Sequence, residues 1–311
     1  MSPHKMHADE MDIDSVLVGR LLTAQFPQWA HLPIEPVLSA GTDNAIFRLG
    51  DDMTVRLPRI HWATEQVEKE WQWLPRLAPH LPLAIPVPLG KGIPAEGYPW
   101  NWSVCRWLPG ENAACERITD LRQAATDLAQ FVAALQRIDP TDGPRPGRHN
   151  SGRGVPLAMR DADTRAAIAS LGRLLDTDAV TTAWDAALAA PVWKGPPVWI
   201  HGDLQPGNLL VERGRLSAVI DWGCLGVGDP ACELQIAWTL FSSASRDVFR
   251  AVLSVDDATW ARGRGWALSW GLIALPYYLD TNPAIVGMAR HAIDQVLADQ
   301  KIGGEEKSQA Q

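Results

Sequence analysis

Cysteine, excess positive charge and uninterrupted apolar sequence are all scarce in this chain. The four cysteines are Cys105, Cys115, Cys224 and Cys232. None forms a C-x-x-C pair and no His/Cys cluster has zinc spacing, which removes a structural zinc site. They read as buried free thiols of a reducing cytosol. Lys and Arg number 28 against 36 Asp and Glu, a formal net charge of −8. A nucleic-acid binder would carry a basic excess or stripe, so that class is excluded, while a cationic small partner suits the balance. The longest apolar run, 266–279, is broken by Ser, Gly and Pro and is too short to span a bilayer; it reads as a buried core helix. Residues 1–14 lack the apolar segment of a secretory signal. These absences predict a cytoplasmic protein with no membrane or nucleic-acid partner, and they leave the oligomeric state open.

What is present is ordinary globular composition, with 46% hydrophobic residues over 311 positions, enough for a large core in two lobes. Tryptophan is abundant, at 15 residues, without the repeated spacing of a base-stacking surface. Residues 1–11 and 303–311 read as polar tails. Asp12 or Asp14 is placed to cap a first helix carrying Leu17 and Leu21. "AIFRL" and "MTVRL", separated by "GDD", predict a hairpin, with "SAGTDN" at 39–44 as a turn-rich loop before it. A helix over 62–77 should bury Val67, Glu70, Trp71 and Leu74 on one face. A proline-rich stretch then suits edge strands, and "NWSVCRWLPGE" ends a strand in a Pro-Gly linker. Residues 119–139 predict a helix capped by Thr119, with Leu128, Phe131, Val132 and Leu135 on its buried face. The 140–156 segment is a long Gly/Pro/Arg loop; Arg145, Arg148 and Arg153 read as solvated, with a mobile flap near the substrate as the alternative. After two further helices comes a short β-hairpin insert, and 230–300 is mostly helical.

The chemistry concentrates in "HGDLQPGN" at 201–208 and "VIDWG" at 219–223. The predicted hairpin folds Asp221 back beside Asp203 and Asn208. Their hard oxygens suit Mg²⁺, which takes one or two protein ligands and completes its shell with phosphate oxygens and water. An Asn and one Asp as ligands leave the other Asp free as a base, which is what phosphoryl transfer requires. Asp229 follows Asp221 by only eight positions, so there is no room for a peptide-docking segment and a small hydroxyl acceptor is the expectation.

These motifs, with "NLLV" and "GDPA", resemble the aminoglycoside phosphotransferase family over roughly 13–300. The resemblance implies a protein-kinase-like bilobal α+β fold, with a β-rich nucleotide-binding N-lobe at 12–108 and a larger, mainly helical catalytic and acceptor-binding C-lobe at 109–302. It implies Asp203 as the catalytic base and Asn208 and Asp221 as Mg²⁺ ligands. ATP or GTP would be the donor. Ser39, Gly41 and Thr42 would cover the phosphates, Arg56 would contact them with Glu70 as its ion-pair partner, and the backbone at Arg106 and Leu108 would hold the purine. Asp229 would brace the catalytic loop. Arg56 departs from the lysine of protein kinases, the loop has one glycine, Gln205 stands where the family often has His, and Glu233 stands where it usually has Asp. An aminoglycoside-type acceptor, held by acids such as Glu111, Glu233 or Asp280, is the expectation. Macrolide, choline-like or homoserine-like alcohols stay open, as does a nucleotide-binding protein without turnover.

Overall fold

The computed structural model describes residues 11–37, 43–115, 117–172 and 174–309. Helix α1 (Ser15–Gln25) starts where the Asp14 carboxylate accepts the Leu17 N–H at 2.8 Å. Its buried stripe, Leu17, Val18, Leu21 and Leu22, lies on a sheet formed by β1 (Ile34–Pro36), β2 (Asn44–Leu49) and β3 (Met53–Pro58), then β4 (Pro88–Gly92) and β5 (Trp102–Arg106). The strand order is β1-β2-β3-β5-β4, antiparallel throughout. The β2–β3 hairpin forms as predicted. Ala45, Phe47 and Leu49 alternate inward along β2 at period two, and the proline-rich segment supplies the edge strand β4.

Between β3 and β4 runs α2 (Thr64–Leu77). Val67, Glu70 and Leu74 are buried as predicted, but Trp71 is exposed and Trp73 takes its place inside. The buried face follows 66, 69/70, 73 and 77, one residue round from the predicted stripe, because this helix packs on two sides. Glu70 faces β3, whereas Trp73, Leu74 and Leu77 join the core of the following region.

That region opens with Gly110, whose φ of +118° and near contact with the Val211 carbonyl exclude a side chain. There follow β6 (Glu111–Asn112), α3 (Leu121–Arg137), α4 (Asp161–Ser170) and α5 (Thr177–Leu188). The strands β7 (Val198–Ile200), β8 (Leu209–Glu212), β9 (Arg215–Val219) and β10 (Gly226–Gly228) come next. The chain ends in α6 (Ile236–Thr239), α7 (Ser243–Leu253), α8 (Asp257–Tyr278) and α9 (Pro283–Gln309). The α3 face is buried as predicted, but Asp120, not Thr119, caps it by accepting from Arg122 and Gln123 N–H; Thr119 bonds the Gly214 carbonyl instead. Helix α8 is the predicted core helix, with Trp266, Leu268, Leu272 and Leu275 buried on several faces. No described helix is long and apolar enough to cross a membrane. Helix α9 continues to Gln309, through residues expected to form a tail. All four thiols are free, but Cys115 is exposed, against the expectation of four buried ones.

Candidate active site

The segment 201–208 leaves β7, which pairs antiparallel with β10 through Ile200 and Gly226. Gly202 turns the chain at φ +84°, where a Cβ would meet the Cys224 carbonyl at 2.5 Å. Two buried residues of the following turn then grip the loop. The Glu233 carboxylate accepts the His201 N–H at 2.9 Å and the Gly202 N–H at 2.7 Å, and the Gln235 amide donates to the Leu204 carbonyl at 3.1 Å. Burial pushes the Glu233 carboxyl up to about 7, against the two N–H bonds that pull it down. His201 is buried against Trp222, its Nδ1 accepting from Asp203 N–H and its Nε2 donating to the Ile220 carbonyl at 2.9 Å. Burial lowers its pKa, so the neutral ring is a structural strut.

Asp203 is held on both carboxylate oxygens. Oδ1 pairs with Arg153 at 3.3 Å; Oδ2 accepts from Gln205 at 3.0 Å and from Asn208 at 3.1 Å. The Asn208 amide nitrogen also donates to the Asp203 carbonyl at 2.8 Å. Because both its partners are acceptors, the amide orientation is fixed and Asn208 Oδ1 faces away. The hairpin β8–β9 returns the chain to the loop just before Asp221, through an Ile220 N–H to Asn208 carbonyl bond of 2.9 Å. Asp221 adopts the left-handed region, φ +61° and ψ +72°, and its exposed carboxylate makes no hydrogen bond within the described residues. One amide oxygen and one uncommitted carboxylate fit a hard divalent cation. Between the two acids, burial pushes the Cys224 thiol up to about 12, keeping it protonated.

Above them, Arg56 on β3 pairs with Glu70 on α2 at 2.7 Å, with side-chain exposures of 11% and 4%. Burial opposes the guanidinium charge, but Glu70, Cys105 and Asp221 more than offset it, so Arg56 stays cationic. The adjacent Lys69, buried, donates to the Gly223 carbonyl at 2.6 Å and to the His149 carbonyl at 3.0 Å. At the linker, the Arg106 N–H is taken by the Val87 carbonyl, whereas the Leu108 N–H has no partner within the described residues. Ser39, Gly41 and Thr42 lie outside the described residues.

The family model of the APH phosphotransferase enzymes matches residues 36–266. The chain belongs to the APH phosphotransferase enzyme family. Its fold is that family's protein-kinase-like α+β arrangement. The GDP complex of aminoglycoside 2'-phosphotransferase-IIIa superposes with a TM-score of 0.72 at 19% identity, covering 93% of this chain and 100% of that one. The apoenzyme of macrolide 2'-phosphotransferase MphH from Brachybacterium faecium gives 0.60 at 25%, covering 90% and 98%. The uncharacterized protein YcbJ of Bacillus subtilis (strain 168) is 34% identical over 76 residues, 24% of this chain and 23% of that protein. The match thus spans about a quarter of that curated relative's length.

Within this phosphotransferase, Asp203, Asn208 and Asp221 converge as the motifs suggested, and Arg56 meets Glu70. Three expectations change. Asp229 does not itself brace the loop through its carboxylate, which is bound by Arg262 at 2.9 and 3.2 Å; Glu233 and Gln235 do the bracing. Glu233 is therefore fully engaged and buried, and does not face an acceptor. Arg153, assigned to a solvated loop, is buried against Asp203. The phosphotransferase motifs carry no signal for Lys69 or Arg153, because both act across long sequence separations; the Glu at 233 in place of Asp was the visible clue for the brace.

Proposed function

We infer that this chain transfers the γ-phosphoryl group of ATP or GTP to a hydroxyl of a small molecule. The observation that carries the reading is the fixed Asn208 amide. It commits its nitrogen to Asp203 and leaves its oxygen without a hydrogen bond among the described residues, so that one loop would carry both a base and a cation ligand. Asp203 accepts the acceptor's proton as the new oxygen–phosphorus bond forms and the bond to the β-phosphate oxygen breaks, releasing nucleoside diphosphate. Asn208 and Asp221 would hold Mg²⁺, which when bound neutralises phosphate charge. Arg56, kept rigid by Glu70, contacts phosphate through its planar fork, and Ser39, Gly41 and Thr42 cover it. The free Leu108 N–H is suited to the purine; Arg106 would contribute only its carbonyl. Residues 12–108 then form the nucleotide lobe and 109–302 the catalytic and acceptor lobe of a cytoplasmic enzyme.

A small acceptor is supported by the short span from Asp221 to Asp229, which is used up by the turn Trp222–Cys224 and by β10 pairing back onto β7. An aminoglycoside hydroxyl follows from the resemblance, and a macrolide hydroxyl is the second candidate. The test is nucleotide consumption by the full chain over a panel of antibiotics and metabolic alcohols, comparing ATP with GTP. Acceptor-dependent consumption is the expected result. Mg-nucleotide binding without consumption across the panel would favour a non-catalytic binding protein.

A further inference from the structure

The roles above use Asp203 but leave unexplained Arg153, which pairs with it, and Arg160, which shares the Trp266 ring with Arg153. Arg153, only 10% exposed at its side chain, reaches Asp203 at 3.3 Å, and its Nε is buried without a partner. Arg160 ends the turn Leu157–Arg160 that leads into α4. Its Nε donates to Ser269 Oγ at 2.9 Å, and that hydroxyl is itself fixed by Thr164 at 2.8 Å. The Arg160 guanidinium lies 4.7 Å from the Trp266 ring centroid, and that of Arg153 lies 5.8 Å from the same ring. Both terminal nitrogens of Arg160 make no hydrogen bond within the described residues. A guanidinium pinned by its Nε and an indole face, with its fork unbonded, is a built receptor for an oxyanion.

A second cation lies close by. Arg153 is buried and paired with Asp203, while Arg160 is half-buried, has Asp163 as a nearby acid and leaves its fork open to a ligand. Burial, and then the charge of Arg153, pull the Arg160 guanidinium down to about 10, so the two arginines repel each other while both stay protonated at neutral pH. Glu233, the one acid of this neighbourhood that had been a candidate for a cationic acceptor, is spent on backbone N–H groups.

The geometry points to an acceptor that carries a carboxylate or phosphate besides its reactive hydroxyl: Arg153 and Arg160 bind the anion while Asp203 takes the hydroxyl. This rests on the phosphotransferase reading above. A polycationic acceptor would meet the same pair of arginines as repulsion.

The test uses the full chain with Mg-nucleotide and acceptors in matched charge sets. Glycerate represents hydroxy-carboxylates, glycerol 3-phosphate hydroxy-phosphates, glycerol neutral polyols and kanamycin polycations. Nucleotide consumption gives turnover, and the shift in melting temperature gives binding. Turnover or binding should concentrate in one anionic arm, and which arm responds identifies the oxyanion. Arg160→Gln should raise that acceptor's KM, or its Kd, about 10- to 100-fold. Arg160→Lys should recover part of the loss, and neither variant should move the nucleotide's KM. Cooperative melting of both variants checks that they fold. Preference for kanamycin or glycerol overturns the inference. So does an acceptor KM unmoved by Arg160→Gln, a shift in nucleotide KM instead, or no anion binding by a chain that still binds Mg-nucleotide. If the wild-type chain does not bind Mg-nucleotide, the kinase reading itself fails, and the inference with it.

Discussion

The two sides of Asp203 are built with opposite electrostatics. Toward β3 and α2, Arg56 is matched by Glu70 and Lys69 is spent on two carbonyls, so the group left over is the Asp221 carboxylate. Toward α8, Arg153 is paired with Asp203 while Arg160 keeps both terminal nitrogens unbonded among the described residues, so the group left over is a guanidinium. The first side lacks a cation and the second an anion. If the site works as proposed, an anionic acceptor gains from the guanidinium half and is disfavoured by the uncommitted Asp221 carboxylate on the other, so the contrast favours one placement of the acceptor.

The contrast can be broken at several points. The largest effect is expected from Asp203→Asn, which removes the proposed proton acceptor. Turnover should fall about 10²- to 10⁴-fold with Mg-nucleotide affinity retained, measured as kcat and nucleotide Kd; full turnover would refute the base assignment. Glu70→Leu attacks the balanced pair on the nucleotide side. Leaving Arg56 buried without its partner should cost about 3–5 kcal/mol, read from the denaturant midpoint. Asp221→Ala removes the unbonded carboxylate proposed to hold Mg²⁺ and should raise the Mg²⁺ concentration for half-maximal activity about 10- to 100-fold, a shift that a merely structural Asp would not produce.

The smallest effect concerns pH. Burial depresses His201 below its ordinary value near 6.5, so its contribution to stability is full above that value and is lost as pH falls below it. Glu233 is raised from 4.5 to about 7, so its contribution is full below 4.5 and is lost as pH rises through 7. The two oppose each other between pH 5 and 7. Glu233→Gln removes one of them, and the loss of stability from pH 7 to pH 5 should then exceed that of the wild-type chain by about 2 kcal/mol. Denaturant melts at the two pH values measure it, and equal losses in both proteins would mean that Glu233 stays ionised.

Much of this was readable beforehand because it is local. The β2–β3 hairpin needs only a two-residue period and a turn, the α3 face only a 3.6-residue period, and the Asp203–Asn208 spacing lies within one turn. The errors were of two kinds. Thr119 and Asp120 are adjacent capping residues, and only the backbone conformation selects between them. Trp71 and Trp73 lie two positions apart, on nearly opposite faces of a helix whose two partners the periodicity cannot name. The bracing of 201–204 by Glu233 and Gln235 joins residues about 30 positions apart, and no local rule ties an acid to a particular pair of N–H groups.

The sequence by itself determined the element order, the family and the triad Asp203, Asn208 and Asp221, because short-range spacing and turn chemistry fix those. Tertiary structure alone decided which charges are spent. Lys69 meets Gly223 across 154 positions, Arg153 meets Asp203 across 50 and Arg160 meets Ser269 across 109. Whether a charged group is neutralised or left for a ligand depends on what burial brings within about 4 Å of it, and that distance is set by packing of segments far apart in the chain.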